Sequence, residues 1–336
     1  MRHLTSLKEL SKSEILELLD LADNFIDSEG FIRRDPLFPD KKVVNIFCEP
    51  STRTKISFEI AASNLGCQII DFDLSSSSLE KGETLKDTID NLAKMNINLC
   101  VLRHKDSVIH ELIDQTDSMV FVSGGEGSIS HPSQGLLDIM TVRHRKDLDN
   151  SNILIVGDLD HSRVFQSFID GMANFDSKIT LCGPNELCKD VIDDSNLNYE
   201  EDLNKALKGQ DVVMALRIQH ERFEDKKNLD KESYLSNYQI NNEKLQIAND
   251  DCIVMHPGPV NQGIEISEDV YNSANSVILD QVANGVAMRS LRQLALRPLH
   301  LPKRFGSAFR ACAPRRPGFL FRSHRVSPLP RRFQLH

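Results

Sequence analysis

The sequence predicts an α/β fold with two doubly wound parallel-sheet domains and the active site in the interdomain cleft. Short apolar runs rich in Val, Ile and Leu alternate along the chain with stretches whose apolar residues recur every three or four positions. The first pattern is typical of buried strands and the second of helices with one buried face. Because helices join consecutive parallel strands, this alternation in both halves predicts two parallel sheets. The length of 336 residues also favours two domains.

The first half contains four apolar runs that predict strands, at Val43–Phe47, Gln68–Phe72, Leu99–Leu102 and Met119–Val122. A capping box from Ser11 to Glu14 begins the first predicted helix, whose apolar face extends to Ile26. Gly30 is expected to end that helix. The glycines in Ser123–Gly127 predict a flexible loop, and Pro132 suits the first turn of the helix that follows.

The second half repeats the pattern, with strands predicted at Ile153–Val156, Lys178–Cys182, Val212–Ala215, Cys252–Met255 and Val277–Leu279. The turn after the first of these begins Gly157-Asp158 and lacks the second and third glycines of a dinucleotide-binding fingerprint. A nicotinamide cofactor is therefore not expected.

Composition excludes several classes of protein. The net charge of −9 disfavours nucleic acid as a partner, because nucleic-acid-binding surfaces are usually basic. No apolar run approaches the length of a membrane span, and Asp, Glu and Lys interrupt the N-terminal region where a signal peptide would be apolar. The seven cysteines are scattered and form no C-x-x-C pair, which predicts reduced thiols, no zinc site and a cytoplasmic location.

The most informative stretch is Ser51-Thr52-Arg53-Thr54, which lies between a predicted strand and a predicted helix. The first amides of a helix have no partner within it, and the helix dipole adds positive potential there. With two or three hydroxyls and one guanidinium added, this junction is suited to a phosphate dianion. The alternative is an ordinary helix cap, since Ser and Thr are common at that position.

Other polar residues follow the predicted strands. Arg103 ends the third strand, where open sheets place ligands, although an arginine at a strand end often just reaches solvent. His131 and Gln134 lie one turn apart at the start of a helix and together suggest a polar ligand site, with a structural cap as the alternative for His131. Lys81, in a serine-rich loop, could equally be a free surface charge.

Seven segments together resemble the aspartate/ornithine carbamoyltransferase family, in order and in approximate spacing from residue 1 to about 289. They are Ser51-Thr52-Arg53-Thr54, Lys81-Gly82-Glu83-Thr84, Arg103-His104, His131-Pro132-Ser133-Gln134, Gly157-Asp158 with Arg163, Arg217-Ile218-Gln219 and His256-Pro257-Gly258-Pro259. The resemblance implies a carbamoyl-phosphate-binding domain at 1–133 and an aspartate-binding domain at 134–289. It also implies a C-terminal helix from about residue 280 that packs back on the first domain.

The reaction implied by the resemblance transfers the carbamoyl group of carbamoyl phosphate to L-aspartate, giving N-carbamoyl-L-aspartate and phosphate in pyrimidine biosynthesis. The implied carbamoyl-phosphate site consists of Ser51, Thr52, Arg53, Thr54, Ser77, Lys81, Arg103, His131, Gln134, Gly258 and Pro259. The implied aspartate site consists of Lys81, Arg163, Arg217 and Gln219. The residues expected to act in catalysis are Arg53, Thr54, Lys81, Arg103 and His131.

This chemistry fits the residue types. Thr54, Arg103 and His131 can donate to the carbonyl oxygen as it gains charge, and Gln134 can accept from the carbamoyl NH2. Two arginines suit the two carboxylates of aspartate. No metal or organic cofactor is expected. The family also implies a homotrimer with shared active sites, in which Ser77 and Lys81 come from the adjacent subunit. Whether regulatory or dihydroorotase chains bind is left open.

The sequence leaves two alternatives open. Ornithine carbamoyltransferase shares the phosphate half, but its cationic substrate requires acidic groups and a His-Cys-Leu-Pro segment, whereas this chain has His256-Pro257-Gly258-Pro259. The other alternative is an inactive subunit of the same fold that is kept for assembly. The complete polar set argues against it.

The C-terminal tail differs in composition from the rest of the chain. No Asp or Glu follows Asp280, and nine Arg and one Lys lie between Arg297 and Arg332. Residues 297–336 are therefore predicted to be an atypical, basic, Pro/Arg-rich and disordered tail. A frame change near residue 290 would produce this pattern, and a basic tail that binds an anionic partner is the functional alternative.

Overall fold

Two parallel sheets organise the part of the chain that the computed structural model describes, which comprises residues 3–116, 118–127, 129–194, 197–218 and 230–293. All of these residues lie in one unit that ends at residue 296. The predicted tail at 297–336 lies outside the described residues. None of the helices described is long and apolar enough to cross a membrane.

The first sheet contains four parallel strands in the order β2-β1-β3-β4. Its strands are β1 (Lys42–Phe47), β2 (Gln68–Ile70), β3 (Leu99–His104) and β4 (Val120–Glu126). Both faces of β1 are buried, since Val43 packs in one apolar core while Val44 and Ile46 pack in the other. Burial on both faces explains why the strands have continuous apolar runs instead of alternating ones.

The helices of the first half are α1 (Lys12–Asp23), α2 (Thr52–Asn64), α3 (Leu85–Lys94), α4 (Ile109–Gln115) and α5 (Pro132–Arg145). The capping box predicted for α1 is confirmed, because Ser11 and Glu14 each bond the other's backbone. The helix ends at Asp23, however, so Gly30 does not terminate it. Between β2 and α3 lie two short 3-10 helices, Leu74–Ser76 and Ser78–Lys81.

The second sheet contains five parallel strands in the order β7-β6-β5-β8-β9. Its strands are β5 (Asn152–Val156), β6 (Lys178–Cys182), β7 (Asn198–Tyr199), β8 (Val212–Ala215) and β9 (Ile253–Met255). The prediction of two parallel-sheet α/β domains is thereby confirmed.

The helices of the second half are α6 (Arg163–Met172), α7 (Lys189–Asp194), α8 (Leu203–Ala206), α9 (Lys231–Tyr238), α10 (Asn242–Leu245), α11 (Glu268–Tyr271) and α12 (Ile278–Gln293). The strand predicted at Val277–Leu279 is wrong, because Ile278 begins α12. This last helix packs against α1, α2 and α5 of the first half. Its packing brings residues near 281–289 beside the start of α5.

The loop predicted at Ser123–Gly127 is also wrong in part. Strand β4 continues to Glu126, and each of its seven residues is buried. Gly124 permits this close packing, since a Cβ there would lie 3.3 Å from Phe47 Cζ and from Val101 Cγ1. Gly124 therefore serves sheet packing at this site.

Candidate active site

A cavity of about 650 Å³ lies where the carboxyl ends of strands from both sheets meet α12. Parallel α/β sheets bind ligands at this edge. Eleven of the fourteen predicted site residues line it: Ser51, Thr52, Arg53, Thr54, Arg103, His131, Gln134, Arg163, Arg217, Gly258 and Pro259. Residues far apart in sequence thus form one site. Gln219 lies outside the described residues.

The start of α2 does not behave as an ordinary capped helix. Ser51 occupies the cap position but makes no side-chain cap hydrogen bond. By contrast, Ser11, Thr84 and Ser162 each accept a backbone N–H at the start of their helices. The first turn of α2 also contains no acidic residue. The N-terminal amides and their positive potential are therefore left for an external anion.

The Arg53 side chain extends from this helix start and lies against the loop that follows β9. A Cβ atom on Gly258 would lie 2.5 Å from both Cζ and Nη2 of Arg53, so the guanidinium packs directly against the glycine. The side chain is exposed to the cavity. Partial burial lowers the pKa of Arg53, Arg217 lowers it further, and Tyr271 acts in the opposite direction. The guanidinium keeps its charge, since arginine remains protonated in proteins.

Arg103 and Arg163 share one carboxylate at the edge of the site. Glu49 Oε2 lies 3.3 Å from Arg103 Nε and 2.9 Å from Arg163 Nη2. The Nη1 atoms donate to main-chain carbonyls, Arg103 to Gly124 at 3.2 Å and Arg163 to Gly127 at 2.9 Å. Burial, followed by the charge of Arg163, lowers the pKa of Arg103 to about 10, while Glu49 opposes this shift. These contacts hold both guanidiniums in fixed positions.

His131 is buried, with 4% of its surface exposed, and directly precedes α5. Its backbone N–H donates to Ser167 Oγ at 2.7 Å, and its side chain makes no cap hydrogen bond. Burial, and then the charges of Arg289, Arg103 and Arg163, place the pKa of His131 well below its ordinary value. The imidazole is therefore neutral and can donate one N–H toward the cavity without adding a charge. The structural-cap alternative does not hold.

Ser77 and Lys81 do not line this cavity. The Ser77 hydroxyl donates to the carbonyl of Leu74 at 2.8 Å, and Lys81 is exposed at the end of a 3-10 helix. A single chain therefore does not bring them to the other site residues. The prediction that both enter a neighbouring subunit's site remains a prediction.

Several cavity residues were missed by reasoning from the sequence. Arg289 is 4% exposed, donates through Nη1 to Ser57 Oγ at 2.7 Å and lies 5.2 Å from the centre of the Phe58 ring. Burial lowers its pKa to about 10. The feature of the sequence that could have identified Arg289 is a charged residue on an otherwise buried helix face. His161 also lines the cavity, and its Nδ1 lies 2.7 Å from Asp158 Oδ1.

The cavity is strongly cationic. Five arginines line it, namely Arg53, Arg103, Arg163, Arg217 and Arg289, and none of the described lining residues is Asp or Glu. Within the described part of the chain, no group of three or more His, Cys, Asp or Glu is placed to hold a metal ion. Fold and site together define an α/β protein with a cationic cavity, suited to small anionic molecules, between two parallel sheets.

Comparisons with known proteins identify the family. The model described as "Aspartate/ornithine carbamoyltransferase, carbamoyl-P binding domain" matches residues 2–144. The model described as "Aspartate/ornithine carbamoyltransferase, Asp/Orn binding domain" matches residues 149–290. The chain belongs to the aspartate/ornithine carbamoyltransferase family.

Curated relatives include two aspartate carbamoyltransferase catalytic subunits. The one from Ruthia magnifica is 38% identical over 290 residues, covering 85% of this chain and 91% of the relative. The one from Desulforapulum autotrophicum is 40% identical over 290 residues, covering 86% of this chain and 93% of the relative.

Solved structures of the same kind are similar in fold. Trypanosoma cruzi aspartate transcarbamoylase in complex with carbamoyl phosphate and aspartate gives a TM-score of 0.77 at 27% identity, covering 88% of this chain and 96% of that one. The catalytic subunit of M. jannaschii aspartate transcarbamoylase gives a TM-score of 0.76 at 33% identity, covering 88% of this chain and 98% of that one.

Proposed function

We propose that this chain is an aspartate carbamoyltransferase, which transfers the carbamoyl group of carbamoyl phosphate to the amino group of L-aspartate. One observation carries the proposal. The uncapped start of α2, with Arg53, shares a single cavity with the guanidiniums of Arg163 and Arg217. The cavity therefore offers one anion-binding region for a phosphate and separate cations for the carboxylates of a second substrate.

Carbamoyl phosphate binds with its phosphate at the amides and hydroxyls of Ser51–Thr54 and against Arg53. The carbonyl oxygen faces Thr54, Arg103 and His131, which all line the cavity. Neutral His131 donates a hydrogen bond there, and Arg103 supplies the charge. Gln134, together with the main-chain carbonyls of Gly258 or Pro259, accepts from the NH2 group.

The reaction needs no covalent intermediate with the protein. The amino nitrogen of aspartate forms a bond to the carbamoyl carbon, and the carbonyl oxygen gains negative charge in the tetrahedral intermediate. That charge lies against Arg103, His131 and Thr54, which act as an oxyanion hole. The carbon–oxygen bond to phosphate then breaks, and the leaving phosphate takes the proton that the amine loses. Catalysis rests on positioning two anions and on electrostatic stabilisation.

The charge of the cavity favours aspartate over ornithine. Aspartate brings two carboxylates, and Arg163 and Arg217 can each bind one. Ornithine would bring a side-chain ammonium group, and the described lining residues include no carboxylate. The nearby carboxylate of Glu49 is already paired with Arg103 and Arg163. Like charges in a partly buried site repel strongly. The eleven predicted site residues that share this cavity likewise disfavour an inactive assembly subunit.

The assembly that we propose is a homotrimer in which Ser77 and Lys81 complete the site of a neighbouring chain. The exposure of Lys81, away from its own chain's cavity, supports this arrangement. A cytoplasmic location fits the free thiols of the six described cysteines, of which five are buried.

Binding of N-(phosphonacetyl)-L-aspartate tests the proposal, because this compound joins a phosphonate and an aspartate in one molecule. Calorimetry should detect binding at micromolar concentration or tighter to the wild-type protein. Arg53→Ala should weaken binding from the phosphonate side and Arg217→Ala from the carboxylate side. Lys42→Ala, far from the cavity, is the matched control for losing a positive charge and should bind as the wild type. Absence of binding to the wild-type protein would contradict the proposal.

A further inference from the structure

Asp138 is a buried carboxylate that does not line the cavity but contacts two residues that do. It lies on α5, one turn after Gln134, with no exposed surface. Its Oδ1 accepts from Gln134 Nε2 at 3.0 Å and from Gln281 Nε2 at 2.7 Å. Its Oδ2 has no hydrogen-bond partner among the described residues. One oxygen atom thus holds two glutamine amides, one from α5 and one from α12.

This contact decides which way the Gln134 amide faces. A carboxylate oxygen only accepts hydrogen bonds, so the NH2 end of Gln134 must point toward Asp138. The amide carbonyl of Gln134 is then directed away from Asp138, and the side chain lines the cavity. Without Asp138, the amide could rotate and present its NH2 group, which cannot accept a hydrogen bond.

Gln281, the second glutamine, connects Asp138 to the loop after β9. Gln281 donates to Asp138 through Nε2, so its Oε1 is free to accept from the His256 backbone N–H, at 2.9 Å. His256 in turn accepts from the Gly258 N–H at Nδ1, at 2.8 Å. Burial, and then Arg53 and Arg217, lower the pKa of His256 to about 3, which keeps the imidazole neutral and able to accept. The chain of contacts ends at the segment Gly258–Pro259.

We infer that Asp138 is a positioning residue that fixes both sets of acceptors for the carbamoyl NH2 group, the Gln134 carbonyl directly and the Gly258–Pro259 carbonyls through Gln281 and His256. The inference rests on the proposed function. Its consequence is substrate discrimination, because the acceptors recognise an NH2 group and would be left unpaired by a methyl group in its place.

The charge of Asp138 is not required for this role. Burial raises its pKa to about 7, against the opposing effects of Gln281, Gln134 and Arg289. A proton would reside on Oδ2, since Oδ1 already accepts two N–H groups. Oδ1 therefore continues to accept from both glutamines in either protonation state, and an asparagine oxygen in the same place could do so as well.

Acetyl phosphate is the probe, because it keeps the phosphate and the carbonyl of carbamoyl phosphate and replaces NH2 by CH3. The dissociation constants of both compounds are measured by calorimetry for each variant of the full-length protein. For Asp138→Leu we expect carbamoyl phosphate to bind about tenfold more weakly, the scale of one lost hydrogen bond. Acetyl phosphate should change by less than about threefold. Asp138→Asn should keep the discrimination of the wild type.

Thr141→Val is the matched control. Thr141 Oγ1 accepts from Asn284 Nδ2 at 2.9 Å, so it also joins α5 to α12 through a buried hydrogen bond, one turn farther along α5. It has no contact with Gln134 or Gln281 among those described. This variant should bind both phosphates as the wild type does. If Asp138→Leu does not fold, Gln281→Met breaks the second half of the connection and should also reduce discrimination.

The outcomes separate cleanly. Equal weakening of both phosphates in Asp138→Leu, or loss of discrimination in Thr141→Val, would assign Asp138 a purely structural role and overturn the inference. Unchanged discrimination in a folded Asp138→Leu or Gln281→Met variant would also overturn it. Failure of the wild-type protein to bind carbamoyl phosphate would instead refute the proposed function.

Discussion

Gly258→Ala should disable the phosphate site without changing any charged residue. Gly258 has φ +70, a conformation that costs a residue with a side chain about 1–2 kcal/mol. The added Cβ would lie 2.5 Å from Arg53 Cζ and Nη2, where about 3.4 Å is the normal contact. The guanidinium must therefore move by about 1 Å, and a misplacement of this size can lower catalysis about 100-fold.

Gly263→Ala separates this effect from backbone strain. Gly263 has φ +81 and lies in the same connection, but a Cβ there would meet no atom within 4 Å. Both variants should melt at similarly lowered temperatures, while only Gly258→Ala should lose activity in a titration of carbamoyl phosphate at saturating aspartate. A folded Gly258→Ala protein with wild-type kcat/KM for carbamoyl phosphate would refute the assigned position of Arg53 at the phosphate.

Three further predictions concern the assembly, His131 and the tail. Arg53→Ala and Lys81→Ala chains should each lose about 100-fold in turnover. Mixed trimers should recover part of the activity; no recovery in confirmed mixed trimers would place Lys81 outside the neighbour's site. NMR titration should find the His131 imidazole neutral at pH 6, and a charged imidazole at that pH would contradict this. As the pH falls below 6.5, the His131→Gln variant should lose less stability than the wild type, because in the wild type the imidazole gains a proton only in the unfolded chain. Deleting residues 300–336 should leave both turnover and melting temperature unchanged. If the deletion prevented the proposed trimer from forming, the tail would be a structural part of the enzyme.

Local patterns predicted most of the fold. The alternation of buried runs and helix faces predicted eight of the nine described strands, because burial on both faces leaves a continuous apolar run. The two-residue strand β7 was missed, since Asn198–Tyr199 contains no apolar run. The strand predicted at Val277–Leu279 failed since three apolar residues cannot distinguish a strand from the first turn of a buried helix. The loop prediction at Ser123–Gly127 failed because Gly124 is required by neighbouring side chains that are remote in sequence.

The site residues that short motifs predicted are mostly ones that the structure brings into one cavity. Ser51–Thr54 marks a helix start, and the unpaired amides of a helix start are a local property of the sequence. Glu49, Asp138 and Arg289 were missed, because their roles depend on contacts across long separations, such as the 143 residues between Asp138 and Gln281. A single polar residue on a buried helix face gives no indication of its partner until the helices are packed together.

Product formation with aspartate and ornithine side by side tests the central claim most directly. The protein is supplied with carbamoyl phosphate and equal concentrations of each amino acid, and the ureido products and released phosphate are measured. The cationic cavity predicts N-carbamoyl-L-aspartate as the product, with negligible carbamoylation of ornithine. Faster turnover with ornithine, or no turnover of aspartate by the folded protein, would contradict the account.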